Sequence, residues 1–345
     1  MKDERSKSLS LVKVLPFVAG AAAAAFVTKR YGEEWLRDGL LYVSHAPWAK
    51  ETISALPPAR VVAARFVAGE TIEEAMDVTR TLNAKGMRVS LDFLGESVSD
   101  SAEAIAAKDE ILKTLDAIAV SQGVTSNVSV KLTQLGLAVS PDLAYDNMRQ
   151  ILERAREHGN WVRIDMEDSP TTDVTLDMFR RLRDEAGLDN SGVVIQAYLY
   201  RSAADIKQLV DEGARVRLCK GAYLEPESVA YPEKADVDNN FVNLMQLLLS
   251  EKARANGVRA GIATHDDEMI RKTIEYVKRH GISADAFEFQ MLYGIRRDRQ
   301  EQLIADGYNV RVYVPFGTAW YAYFMRRLAE RPANLWFFVS NLLRR

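Results

Sequence analysis

From Ile72 onward the chain alternates between stretches in which apolar residues recur every three or four positions and short runs rich in Val, Ile and Leu. The first pattern buries one stripe of a helix, and the second is that of a strand. The strand-like runs are Arg88 to Phe93, Asn127 to Lys131, Trp161 to Met166, Val193 to Ala197, Val216 to Lys220, Arg259 to Thr264, Ala286 to Gln290 and Val310 to Val314. A glycine stands ahead of each: Gly86, Gly123, Gly159, Gly187, Gly213, Gly257, Gly281 and Gly307. Glycine just past the last helical turn supplies the left-handed conformation there, so these residues mark eight turns from helix into strand. Continuous apolar strands separated by helices indicate a parallel sheet covered on both faces, and eight repeats close into a TIM-like (βα)8 barrel of the α/β class. An open doubly wound sheet is the alternative. It is disfavoured because no strand is followed by G-x-G-x-x-G and no P-loop is present.

The first 60 residues break this rhythm. Leu11 to Val27 is the most apolar stretch and follows Lys2, Arg5 and Lys7. It lacks the cleavage site of a signal peptide, and its uncharged part, Val14 to Thr28, is shorter than the roughly 20 residues a bilayer requires. Residues 1–60 are therefore expected to form an N-terminal helical arm, whose Ala-rich helix packs on the body or touches a membrane surface. Residues 61–345 are expected to form the catalytic barrel.

Composition supports a fold of this size. The 345 residues are 48% hydrophobic and 27% charged, enough apolar material for a large core. A net charge of -3 with no long basic run argues against nucleic acid as a partner. A single cysteine, Cys219, excludes intrachain disulfides and a cysteine-built metal site, which suits a reducing compartment; in its strand-like run it reads as packing. Of four histidines, His158 and His280 directly precede helix-ending glycines, where an imidazole complements the helix dipole, and His45 lies in the arm. Only His265 stands at a strand end, so no metal centre is expected.

A (βα)8 barrel carries its chemistry where the strands end. In order, those ends present Glu96, Lys131, Asp165, Gln196, then Arg217, Lys220 and Tyr223, then Thr264, His265 and Asp266, and finally Gln290 and Leu292. The eighth strand feeds a segment of helical composition in which Tyr323, Arg326, Arg327 and Glu330 share one face. Adjacent guanidiniums beside an aromatic ring suit a carboxylate held by directed hydrogen bonds. Together, Lys131, Arg217, Lys220, Arg326 and Arg327 against Glu96, Asp165 and Glu330 make a cationic site for an anionic small molecule with an anionic cofactor. Lys131 or Lys220 also leaves Schiff-base chemistry open.

The runs L-D-F-L-G-E, V-S-V-K-L-T, R-I-D-M-E, V-I-Q-A-Y, R-L-C-K-G-A-Y, A-T-H-D, F-E-F-Q-M-L-Y-G and Y-F-M-R-R-L-A-E resemble, in order from about Arg65 onward, the proline dehydrogenases. The resemblance implies an FAD-dependent barrel that oxidises L-proline to Δ1-pyrroline-5-carboxylate by hydride transfer to flavin N5, with electrons passed to a membrane quinone. By motif, Lys131, Arg326 and Arg327 bind the proline carboxylate, Tyr323 and Leu292 pack on its ring, and Asp165 and Arg217 form the catalytic pair. Met166, Gln196, Arg217, Lys220, Gly221, Ala222, Thr264 and His265 hold FAD, with Glu330 near its ribityl and ribose region. Glu96 pairs with Arg326 as a gate over bound substrate. Leu224 stands where some relatives have tryptophan after K-G-A-Y, so stacking on the adenine is expected to differ. The length suits the single-activity form of the family, and the expected setting is cytoplasmic, free or peripheral on the inner face of the membrane. Three rivals remain on sequence alone: an oxidase of hydroxyproline, a Schiff-base aldolase, and a non-catalytic membrane-associated binding protein.

Overall fold

In the computed structural model, which describes residues 63–95, 98–321 and 323–325, the first complete helix is α1 (Ile72–Ala84). A capping box starts it: the Glu74 N–H donates to the Thr71 hydroxyl, and the Thr71 N–H donates to the Glu74 carboxylate. From β1 (Arg88–Phe93) strands and helices alternate. They are α2 (Ser101–Val120), β2 (Ser126–Val130), α3 (Pro141–Glu157), β3 (Val162–Ile164), α4 (Thr172–Asp184), β4 (Ser191–Gln196), α5 (Ser202–Asp211), β5 (Arg215–Cys219), α6 (Lys234–Leu248), α7 (Glu251–Ala255), β6 (Arg259–Ala263), α8 (Asp267–Arg279), β7 (Phe287–Leu292), α9 (Arg297–Ala305) and β8 (Val310–Phe316). Neighbouring strands pair in parallel and β8 returns to β1, closing the barrel in sequence order. The eight glycines expected to end helices all have positive φ, from 59° to 84°.

All strands but β1 differ from the sequence reading by one or two residues at an end, and two of the differences have a local reason. β3 starts after Trp161 because that residue's N–H is taken by the Asn160 side chain at 2.8 Å and leaves the ladder. β8 continues through Pro315 to Phe316: proline has no N–H to offer, but its carbonyl accepts from Ala68 N–H at 2.8 Å. α1 packs across both β1 and β8, so the helix ahead of the first strand covers the seam where the barrel closes.

The main core lies between strands and helices. Val89 and Leu91, Val128 and Val130, Val162 and Ile164, Val216 and Leu218, and Val312 and Val314 are buried there. The residues between them are polar and point inward. Side chains of β8 and β3, or of β5 and β2, can meet only across the lumen, and they do: Tyr313 reaches Asp165 at 2.8 Å and Arg217 reaches Ser129 at 3.3 Å. The strands are thus alternating rather than continuously apolar, because a polar network fills a lumen that most barrels pack with branched apolar residues. Gly261 makes room for one member, since a Cβ there would lie 2.3 Å from the Gln290 amide.

The chain forms two compact units, residues 68–317 and residues 1–67 with 318–345. The first is the barrel. In the second, Phe66 lies 6.3 Å from Phe324, and Trp320 meets Phe324 edge-on at 6.0 Å, so aromatic packing joins the described segments. Burial pushes the Tyr321 hydroxyl up to about 12. The boundary expected at residue 60 and the apolar stretch Leu11 to Val27 lie outside the described residues. Among the described residues no helix is long and apolar enough to cross a membrane.

Candidate active site

Asp165 stands one residue past β3 and Arg217 at the centre of β5, so with β4 between them they meet through the lumen, 2.7 Å apart. Their side chains are 13% and 9% exposed, which makes this a desolvated ion pair. Every edge of the guanidinium is engaged. Its Nε donates to Gln290 at 2.5 Å, its second amino group to Ser129, and the Tyr313 ring lies 5.1 Å from its centre. Gln290 is held in turn by Glu288 at 2.7 Å, and Glu288 by Arg311 at 2.6 Å. A guanidinium gripped this way has one orientation.

The other oxygen of Asp165 accepts from the Tyr313 hydroxyl. Burial first, then the charges of Asp165 and Asp92, raise that hydroxyl well above its ordinary range, so it remains a neutral donor. Beside it, Lys131, one residue past β2, donates to Asp92 at 3.1 Å. Asp92 is fully buried. Burial raises its carboxyl and Asp165 adds to the effect, while Lys131 opposes both.

Around the rim, Lys220 donates to Asp238 and, at 2.7 Å, to Asp266. Partial burial works against Asp266, but the hydrogen bonds from Lys220 and the Glu268 N–H, together with the charges of Lys220 and Lys234, outweigh it and hold the carboxyl down to about 2. Thr264 accepts from the Asp266 N–H at 3.1 Å. His265 accepts the Leu292 N–H on Nε2 at 2.9 Å, which ties two expected site residues together and fixes that nitrogen as unprotonated. Gln196 donates to the Glu167 carbonyl at 2.8 Å, and Met166 is buried nearby in sequence. Gly221 has φ 125° and a Cβ there would lie 2.5 Å from the Tyr198 ring, so the backbone that continues into Ala222 rides directly on that ring. Cys219 is free, and burial pushes its thiol up to about 12, which suits packing and not nucleophilic chemistry.

The barrel therefore brings together Lys131, Asp165, Met166, Gln196, Arg217, Lys220, Gly221, Ala222, Thr264, His265 and Leu292 at the strand ends of one mouth. Tyr323 is buried and belongs to the second unit. Glu96, Arg326, Arg327 and Glu330 lie outside the described residues. The cationic balance needs correcting. Lys131, Arg217 and Lys220 each face an aspartate, so these three leave no excess of positive charge among the described residues of the mouth. The network also includes Asp92 and Tyr313, which the reading of strand ends passed over, and gives Gln290 a role. Their signal was an isolated polar residue at alternate positions of an apolar strand, in L-D-F, V-Y-V and F-Q-M.

Comparison with known proteins decides what this mouth belongs to. The family model for proline dehydrogenase matches residues 75–339. The chain belongs to the proline dehydrogenase family. It is 46% identical over 286 residues to the proline dehydrogenase of Deinococcus radiodurans, covering 82% of this chain and 90% of that one. Proline dehydrogenase 1 of Bacillus subtilis is 44% identical, over 83% of this chain and 92% of that one. Among solved structures, proline utilization A (PutA) from Bdellovibrio bacteriovorus, inactivated by N-propargylglycine, superposes with a TM-score of 0.73 at 28% identity over 79% of this chain. This chain spans 33% of that protein. PutA from Corynebacterium freiburgense, at 24% identity and a TM-score of 0.69, shares the fold. As a proline dehydrogenase the protein is an enzyme of proline catabolism, and its reaction is the oxidation of proline, the first step of that route.

Proposed function

We propose that this enzyme uses FAD to convert L-proline to Δ1-pyrroline-5-carboxylate, with a membrane quinone as the electron acceptor. The observation that carries the reading is the desolvated Asp165–Arg217 pair, held rigid at the C-terminal mouth by Tyr313, Gln290 and Ser129. A flavin fits the adjoining rim on a separate observation. Lys220 and Thr264, just past the neighbouring strands β5 and β6, present an ammonium and a hydroxyl, donors suited to the phosphates and polar ring edge of such a group.

On this reading Met166, Gln196, Arg217, Lys220, Gly221, Ala222, Thr264 and His265 hold the cofactor, with Glu330 near its ribityl and ribose region. Bound FAD supplies the acceptor for the hydride that leaves the proline carbon beside the ring nitrogen. Lys131, Arg326 and Arg327 grip the substrate carboxylate through charge-assisted hydrogen bonds, and Leu292 and Tyr323 pack on the ring. Fixing both ends of a small rigid substrate sets the position of its reacting carbon. The immobilised Arg217 guanidinium offsets negative charge that develops beside it without reorganising, and Asp165 keeps it in place. Glu96 closes over the substrate by pairing with Arg326. The arm of residues 1–60 gives peripheral contact with the membrane that carries the quinone.

The test is an absorbance spectrum of the purified protein followed by anaerobic addition of proline. A flavin band that bleaches with L-proline and not with D-proline is expected. A flavin that stays oxidised would move the substrate, with hydroxyproline next in line. A protein that takes up no flavin on reconstitution with FAD would overturn the cofactor.

A further inference from the structure

The opposite, N-terminal mouth of the barrel carries a second concentration of charge that proline oxidation does not use. Lumen-facing residues at the strand starts are Arg88 of β1, Trp161 just before β3, Arg215 of β5, Arg259 of β6, Glu288 of β7 and Arg311 of β8. Arg163, one turn of the pleat above Trp161, joins them. The guanidinium centres of Arg163, Arg215 and Arg311 lie 4.9, 5.2 and 5.3 Å from the Trp161 ring.

Parallel register sets arginine beside arginine twice on this floor. Arg88 pairs with Arg311, and Arg215 pairs with Arg259. Like charges directly opposite on adjacent strands repel, so each couple calls for an anion. The fold supplies one to the first couple: Glu288 lies 2.6 Å from Arg311 and 3.4 Å from Arg88. Burial works against the Glu288 charge, yet Arg311, Gln290 and Arg88 together outweigh it and keep the carboxyl below its ordinary range. The second couple has no counterpart. Among the described residues no carboxylate forms an ion pair with Arg215 or Arg259; Glu288, engaged by Arg311 and Arg88, and exposed Asp189 act on Arg215 only from a distance.

A third group points the same way. Arg163 is 2% exposed and donates to the carbonyls of Val193 at 2.6 Å and Arg215 at 2.7 Å, but its Nε is buried without a partner. Burial and the repulsion of Arg217 lower its affinity for a proton, and burial with Arg259 and Arg311 does the same to Arg215. Such a cluster is strained by its own charge, and an anion relieves it.

We propose that the N-terminal mouth binds a divalent oxyanion of the phosphate class, gripped by Arg215 and Arg259, backed by Arg163 and flanked by Trp161. Two adjacent guanidiniums match the charge and the fork geometry of such an anion better than they match chloride. The anion is either free phosphate or the phosphate of a nucleotide.

The test uses the full-length flavin-loaded enzyme, titrated at constant ionic strength with inorganic phosphate, ADP or sodium chloride. Tryptophan emission and Tm are followed together. The chain has five tryptophans, so Trp161→Phe assigns the emission change. A saturable response to phosphate, absent with chloride, is expected, and Arg259→Gln should weaken it by about tenfold or more while proline oxidation is unchanged. Tighter binding of ADP than of phosphate identifies a nucleotide as the source, and equal or weaker binding identifies the free ion. A phosphate response that merely matches chloride, or one undiminished in Arg259→Gln, overturns the proposal. Should that variant fail to fold, Arg215→Lys, which keeps the charge and loses the fork, is decided by the same comparison.

Discussion

Asp165→Asn preserves shape and removes one charge from the middle of the lumen network. The wild-type carboxylate accepts from Arg217 at 2.7 Å and from Tyr313 at 2.8 Å. Asparagine has one accepting oxygen, and its amide nitrogen would face a donor. Either Tyr313 or Arg217 therefore loses its acceptor, and Arg217, 9% exposed, keeps a charge whose remaining partners Gln290 and Ser129 are neutral. Losing one charge-assisted hydrogen bond costs about 1.5–3 kcal/mol, and leaving the other half of a buried ion pair uncompensated raises the cost to about 3–5 kcal/mol. With an unfolding entropy of about 2.1 cal/mol/K per residue, each kcal/mol lowers the Tm of a 345-residue chain by about 1–2 °C. Urea unfolding at pH 7 should show the midpoint falling with the slope unchanged, and kcat/KM for proline should fall with it. Tyr313→Phe, which removes one hydrogen bond and leaves the ion pair, should cost less. A loss below about 1 kcal/mol in Asp165→Asn would refute the reasoning, because it would mean that water already solvates the pair.

Three further outcomes are expected. The Asp266 carboxyl is held at about 2 in the fold, below its ordinary value of 3.8, so it stabilises above that value and the contribution is lost as pH falls through about 2. Asp266→Asn should then cost about 2 kcal/mol at pH 7, with the gap from wild type narrowing by about half at pH 3; a gap independent of pH would count against the Lys220 contact. Gly221→Ala forces a side chain onto φ 125° with its Cβ 2.5 Å from the Tyr198 ring, which costs about 1–3 kcal/mol, and the purified variant should carry less flavin per chain than wild type. Full flavin loading at unchanged stability would show that this turn is not where the cofactor is gripped. Arg326→Met should raise KM for proline by at least about tenfold, and an unchanged KM would remove it from the carboxylate clamp.

The sequence by itself determined the architecture. Eight helix-ending glycines ahead of eight strand-like runs leave few topologies open, because glycine alone takes the left-handed turn freely and parallel strands need a covering helix between them. The order of chemistry along the chain was legible for a related reason: a barrel delivers every strand end to one mouth, so Lys131, Asp165, Arg217, Lys220, Thr264 and His265 could be named as neighbours without knowing their distances. What the sequence could not give was who pairs with whom across the lumen. Asp92 beside Lys131, Tyr313 on Asp165 and Gln290 on Arg217 join strands far apart in order, and their geometry depends on how the closed barrel sets the register. The same limit hid the N-terminal floor. Arg215 and Arg259 look like unrelated surface residues until parallel pairing sets them side by side, and only then does the missing carboxylate between them become visible.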